Sequence, residues 1–268
     1  SEKCAPKSTH CYSFATPTWL ADRLREAGFT HLNFANNHAN DYGLDARRHS
    51  EATIRALGMT PYGPLEEVAI TPVWRDERMT LVGIVGFTTY PHAYNLLDLA
   101  GSAAIVSAVR PLVDVLVVTF HGGAEGTGAV RVPMRAEFLG KEPRGNLRRW
   151  ARTVLDAGAD AVVGHGPHVL RGVEFYQGKP IFYSLGNFLT YRGFNLDGPL
   201  GLTTLLQLEL DSDGRFLSAT MPPLIQIPQV GPAPDSTGRA LKLLRRITKL
   251  DFPTTGARFG LDGTISPP

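Results

Sequence analysis

An α/β fold of mixed sheets flanked by helices is what this sequence predicts, and three observations predict it. Two continuous apolar runs, "VDVLVVTFH" (113–121) and "ADAVVGH" (159–165), read as strands buried on both faces, the mark of a parallel sheet. Helical patterns alternate with strand patterns as far as His165. After Gly178 several strand patterns follow in series, joined by turns such as Asp213-Gly214, which adds an antiparallel section.

Residues 1–15 read as loop. Thr16-Pro17 predicts a helix start, with Thr as N-cap, Pro at the first helical position, and Trp19, Leu20, Leu24 and Ala27 on one face before Gly28. "FTHLNFA" predicts a strand over 30–35, and 44–57 a second helix closed by Gly58. "TLVGIVGF" (80–87) is a buried strand, and a helix over 101–109 leads into the run at 113–121. A polar stretch, 122–145, is rich in Gly, Pro and Arg; a helix over 146–157 then precedes the run at 159–165. "KPIFYSLGNFLTY", "GLTTLLQLEL" and "GRFLSATMPPLIQIP" predict further strands, and 239–250 a last short helix. No repeat or Pro/Ser-rich linker divides the chain, so a single domain over 1–268 is expected.

The 268 residues suffice for a sizeable core, and 43% hydrophobic with 19% charged residues excludes disorder of the whole. A net charge of +2, with arginines scattered apart from Arg245-Arg246, gives no reason to expect nucleic-acid binding. No apolar run approaches the ~20 residues of a membrane span, and no signal peptide is visible. The chain opens at Ser1 without an initiator Met, as a processed form or a fragment does. Cys4 and Cys11 would close a small disulfide loop in a secreted protein and stay free thiols in the cytosol.

Polar residues gather where strands end. Asn36, Asn37 and His38 follow the strand at 30–35; His121 ends 113–121 with Glu125 close behind; His165 ends 159–165 with His168 close behind. Ligands bind beyond the carboxyl ends of parallel strands, because loops converge there. Imidazole and amide oxygen suit a divalent ion such as Zn, Mn or Fe. Other chemistries lack their context. "GHGPH" has no helix start after it for a dinucleotide, "FYSLG" lacks the first glycine of a nucleophile elbow, and no phosphate-binding P-loop pattern occurs.

The stretches "ANNHANDYG", "HGGAEG" and "DAGADAVVGHGPHVLRGVEFYQGKPIFYSLGNF" closely resemble the CapA family of poly-γ-glutamate capsule biosynthesis proteins, which is similar to the calcineurin-like metallophosphoesterases. The resemblance runs from about Cys4 to Asp262. It implies a calcineurin-like four-layer sandwich with two divalent metal ions (Mn, Fe or Zn) at the sheet's edge. A Gly-Asn-His motif there supplies an Asn ligand and a His that acts at the reacting centre. Those roles fall on Asn37 and His38, with Asn36 at the glycine position. His121 corresponds to a lone His ligand, and 164–168 to a final His-x-His pair.

Two departures matter. Relatives more often carry His-Pro-His in the last loop, whereas Gly166-Pro167-His168 stands here with His165 before it, so His168 is the firmer ligand. Relatives also begin with a strand ending in Gly-Asp, followed by a second acidic motif. Neither is present, so the chain resembles a member lacking its first β-α-β portion. Asp41 and Glu125 are the carboxylates to consider instead, Asp41 chiefly as an orienting residue of its loop. Tyr183, Ser184 and Asn187 match the family's "YSLGNF" and are expected to pin the metal loops or to contact substrate. Glu174 and Arg171 read as a strand or surface pair.

The resemblance implies a metal-dependent hydrolase of phosphoester or γ-glutamyl amide bonds, acting in capsule or polymer biosynthesis. Metal-assisted proton transfer such as peptide epimerisation, or a non-catalytic accessory role, is the alternative. The implied partner is an anionic polymer or peptide-like substrate, and Arg131, Arg135, Arg144, Arg148 and Arg149 would suit an anionic ligand. The implied location is extracellular or at the cell envelope, with the cytoplasm left open.

Overall fold

Val115–His121 is the centre of the main sheet in the computed structural model, which describes residues 12–190 and 192–268. Its residues are almost all buried, because parallel neighbours lie on both edges and further layers cover its faces. The strand order is Val173–Tyr176, Lys179–Phe182, Ala161–His165, Val115–His121, Arg78–Thr88, Ala69–Arg75, with Tyr94–Asn95 also paired to Arg78–Thr88. The inner pairs are parallel and the two outermost antiparallel. The expected mixed α/β architecture is present. Cys4 and Cys11 lie outside the described residues.

Helices Leu99–Val109 and Leu147–Asp156 meet each other and contribute to the larger core. Each starts at a side-chain cap, Asp98 accepting from Gly101 N and Asn146 from Arg149 N, which satisfies otherwise orphaned N–H groups. Leu147, Trp150, Ala151, Val154 and Leu155 form one apolar stripe and are all buried. The Trp150 ring meets Phe87 and Phe120 edge-on at 5.3 Å each, and its Nε1 donates to Ser102 Oγ. A second core gathers Val173, Phe182, Met221, Leu244 and neighbours beneath helix Arg239–Asp251. No helix among the described residues is long and apolar enough to cross a membrane.

Several elements differ from expectation for local reasons. The first helix is Leu20–Glu26, with no side-chain cap and no buried residue; Thr16 does not cap it. The strand expected over 30–35 is only His31–Asn33, paired with Thr60–Tyr62 in a separate two-stranded sheet. Asn33 Oδ1 accepts from Ala35 N at 2.7 Å, turning the chain at once. "GRFLSATMPPLIQIP" splits into Phe216–Thr220 and Pro223–Ile227, which belong to different sheets. Pro222 has no N–H to continue the ladder. "GLTTLLQLEL" splits in parallel, into Leu202–Thr204 and Gln207–Leu210. The 122–145 stretch holds a hairpin, Glu137–Leu139 with Glu142–Gly145, turning at Gly140, whose φ of +60° suits glycine.

Candidate functional site

Several loops meet around a cavity of about 700 Å³ whose lining includes Asn37, His38, Glu125, His168 and Asn187. Sequence reasoning singled out all five. Each is held by a specific contact or a short loop.

Loop 34–41 is built on itself. Asn36 Oδ1 accepts from His38 N, and Asn36 Nδ2 donates to Asn33 O, so Asn36 shapes the turn. His38 Nδ1 lies 2.7 Å from Asp41 Oδ2, and that same oxygen accepts from Phe14 N at 2.8 Å. Asp41 is buried, as its expected orienting role requires. With Nδ1 engaged, Nε2 is the His38 nitrogen left for chemistry.

His168 sits at φ +61°, a left-handed conformation uncommon outside glycine, just after Gly166-Pro167. Its Nδ1 is 2.7 Å from Asn187 Oδ1, while Asn187 Nδ2 donates to Leu200 O. Its Nε2 faces Glu125 Oε2 at 3.9 Å. Glu125 is fixed from behind, where Oε1 accepts from Arg144 at 2.5 Å. The loop carrying Glu125 is clamped by a second buried pair. Arg171 donates twice to Glu137 (3.0 and 2.7 Å) and also to the carbonyls of Ala124 and Ala129.

Other expected site residues lie elsewhere. His121 is buried, and its Nε2 faces Arg144 at 3.4 Å rather than the cavity. Burial first, then the Arg144 charge and the neighbouring imidazoles, holds its pKa well below the usual value. His165 keeps a solvent-accessible side chain at its strand end, yet surrounding protein pushes its pKa down to about 4. It does not line the cavity. Tyr183 belongs to the core: its ring stacks on Phe252 at 5.2 Å and its hydroxyl donates to Glu174. Ser184 serves its own turn, Oγ accepting from Gly186 N.

Glu174 and Arg171 are not a pair. Glu174 is buried against Arg152, Tyr183 and Thr255, whereas Arg171 holds Glu137. The five arginines expected to face an anion are also partly committed. Arg144 is buried among Glu125, Glu142 and Tyr90, Arg131 pairs with Asp251, and Arg148 lies over the Phe252 ring.

Sequence reasoning missed Phe14, Tyr90, Glu142 and Phe194, which complete the cavity wall. Tyr90 could have been found, since it follows Arg78–Thr88 at the same sheet edge. Its hydroxyl donates to Glu142 at 2.6 Å; burial first, then that bond, raises its pKa and keeps it protonated. Phe14 and Phe194 sit in loops with no periodic signal.

Among the described residues the donor set does not by itself form the expected divalent centre. Among the described residues no three His, Cys, Asp or Glu side chains converge as a metal ion needs. Asn37 and His168 share the cavity, whereas His121 Nε2 faces the Arg144 guanidinium and neither His121 nor His165 lines the cavity.

Residues 2–192 match the family model described as "Bacterial capsule synthesis protein PGA_cap". The chain is 30% identical over 242 residues to the PGA biosynthesis protein CapA of Bacillus subtilis (strain 168), covering 84% of this chain and 59% of that protein. It is 28% identical over 242 residues to the capsule biosynthesis protein CapA of Bacillus anthracis, covering 84% and 55%. It thus spans under two thirds of the length of either relative. Among solved structures, a putative 5'-nucleotidase from Staphylococcus aureus superposes with a TM-score of 0.48 at 15% identity, covering 84% of this chain and 43% of that one.

Proposed function

The chain belongs to the bacterial capsule synthesis family PGA_cap, and from that membership and the cavity we propose a hydrolase-type enzyme of capsule-polymer metabolism in which His38 and Asp41 move the proton. The observation that carries this reading is the 2.7 Å contact between His38 Nδ1 and a buried Asp41 oxygen at the edge of the cavity.

Asp41 fixes the imidazole tautomer and orientation, and stabilises the imidazolium that forms once Nε2 takes a proton. Nε2 takes that proton from a water attacking an amide or ester carbon and delivers it to the leaving nitrogen or oxygen, so one water is consumed per bond broken. Asn187 fixes the His168 ring, leaving His168 Nε2 and Glu125 opposite as hydrogen-bonding partners for substrate. No step is routed through a metal ion, because among the described residues no three donors converge. The capsule context of the relatives supports a place at the cell envelope.

The reading is tested with phosphoesters, γ-glutamyl amides and α-peptide amides, each incubated with chelator or with added Mn²⁺, and products read by mass spectrometry. Cleavage of an amide or ester in chelator, lost in His38→Gln, is the expected result. Cleavage that needs added metal and survives His38→Gln contradicts it.

A further inference from the structure

Helix Arg239–Asp251 keeps two chemistries on opposite faces. Ala240, Leu241, Leu244, Ile247 and Thr248 are buried, whereas Arg239, Lys242, Arg245, Arg246 and Lys249 are exposed. With about 100° between successive residues, the five cations fall within an arc of roughly 120°. Along the axis, Arg239, Lys242, Arg246 and Lys249 follow one another at steps of about 4.5 to 6 Å, roughly 15 Å in all. The whole chain carries a net charge of only +2, so this one face is strongly basic on a molecule that is otherwise slightly acidic.

The carboxylates at the two ends of the helix are already engaged. Asp235, buried before the first turn, accepts from Thr237 and from Ala240 N. Asp251, buried in the last turn, accepts from Arg131 Nε and Val132 N, in the segment that follows Glu125. Two of the five cations meet neutral acceptors, Arg245 the Phe259 carbonyl and Arg239 the Thr237 hydroxyl.

The basic face is also concave. Lys242, Arg245, Arg246 and Lys249 line a groove of about 580 Å³ that Leu261, 85% exposed, closes on another side. A row of cations beside an apolar rim suits a flexible chain that carries one carboxylate per repeat with methylene groups between. The carboxylates meet the cations and release bound counterions, and the methylenes lie against leucine. A bilayer fits less well, because the apolar face of the helix is committed to the protein core and cannot enter lipid.

We infer that this groove binds an extended polycarboxylate, a stretch of the capsule polymer, and so holds polymer on the protein outside the cavity. That the ligand is the capsule polymer rests on the function proposed above; the groove itself involves neither His38 nor Asp41. It makes Lys242, Arg246 and Lys249 polymer-binding residues with no part in bond cleavage.

Fluorescence anisotropy with dye-labelled γ-linked oligoglutamate tests it. The proteins are wild type, the double variant Arg246→Glu, Lys249→Glu, and a control with the same charge change elsewhere, Arg48→Glu, Arg75→Glu. All four positions are exposed, and unchanged melting confirms each fold. Wild-type affinity should fall roughly tenfold between about 50 and 200 mM salt, as counterion release by a polyanion requires. The helix variant should bind at least about tenfold more weakly than wild type, and the control within about threefold. No binding below about 1 mM, or equal weakening in the control, overturns the inference. Vesicles containing phosphatidylglycerol provide the other arm. Retention on them that exceeds oligoglutamate binding at equal anion concentration, and is lost in the helix variant, would give this face to a membrane and overturn the inference. Oligoglutamate binding without His38-dependent cleavage would remove only the proposed reaction, and His38-dependent cleavage without such binding would remove only this surface.

Discussion

Asp41 Oδ2 lies 2.7 Å from His38 Nδ1, across one turn of a single loop, with the carboxylate side chain 1% exposed and the imidazole 31%. The acid is thus shielded while the base stays reachable. Asp41→Asn keeps an oxygen for Phe14 N but removes the charge that stabilises an imidazolium. Turnover should fall by about 10²-fold or more, with little change in melting temperature. Equal turnover in steady-state assays would show that Asp41 only shapes the loop.

Arg144 is the buried cation behind the cavity, shared by Glu125 and Glu142. Arg144→Gln leaves both carboxylates without their counter-charge; because the Glu142 side chain is 41% exposed and Glu125 partly so, the expected cost is about 1–3 kcal/mol. Urea unfolding should register that loss, and the double variant Arg144→Gln, Glu125→Gln should recover part of it. A loss under about 1 kcal/mol would mean that the network behaves as a surface one.

Much of the frame was legible and much of the site was not. The strands around 80–87, 113–121 and 159–165 were readable because burial on both faces demands unbroken apolar runs. Helix Leu147–Asp156 was readable from its stripe and cap. His38, Glu125 and His168, each in a loop shortly after a strand, line one cavity. That His121 turns toward Arg144 was not readable, because the partner comes from a hairpin inside a stretch with no periodic pattern. Phe14 and Phe194 likewise meet only through the folded loops.

Gly164 faces Phe120 across the parallel pair, and a Cβ added there would stand 2.2 Å from the Phe120 ring and 2.5 Å from Tyr183 O. Gly164→Ala therefore overpacks the sheet where it leads to His165 and His168. A cost of about 1–3 kcal/mol is expected by thermal or chemical unfolding. An unchanged midpoint would contradict this packing.

The folded chain resists protonating two histidines. The pKa of His121 is held well below 6.5, chiefly by burial, and that of His165 is lowered to about 4 by the protein around it although water reaches its side chain. Between those values and 6.5 the unfolded chain binds more protons, so stability rises with pH across that window. Their contribution is full above about 6.5 and is lost as pH falls toward the folded values. Water reaches His165, which weights the effect toward His121. Unfolding midpoints from pH 7 down to 4 should fall less steeply in His121→Gln than in wild type. Identical slopes would show that His121 does not titrate differently on unfolding.

The most direct test of the account is kcat/KM for cleavage of an amide or ester of the substrate panel by wild type and His38→Gln, both assayed in chelator. The account predicts measurable wild-type cleavage and a fall of about 10²-fold or more in the variant. No cleavage until Mn²⁺ is added, or equal rates in the two proteins, would contradict it.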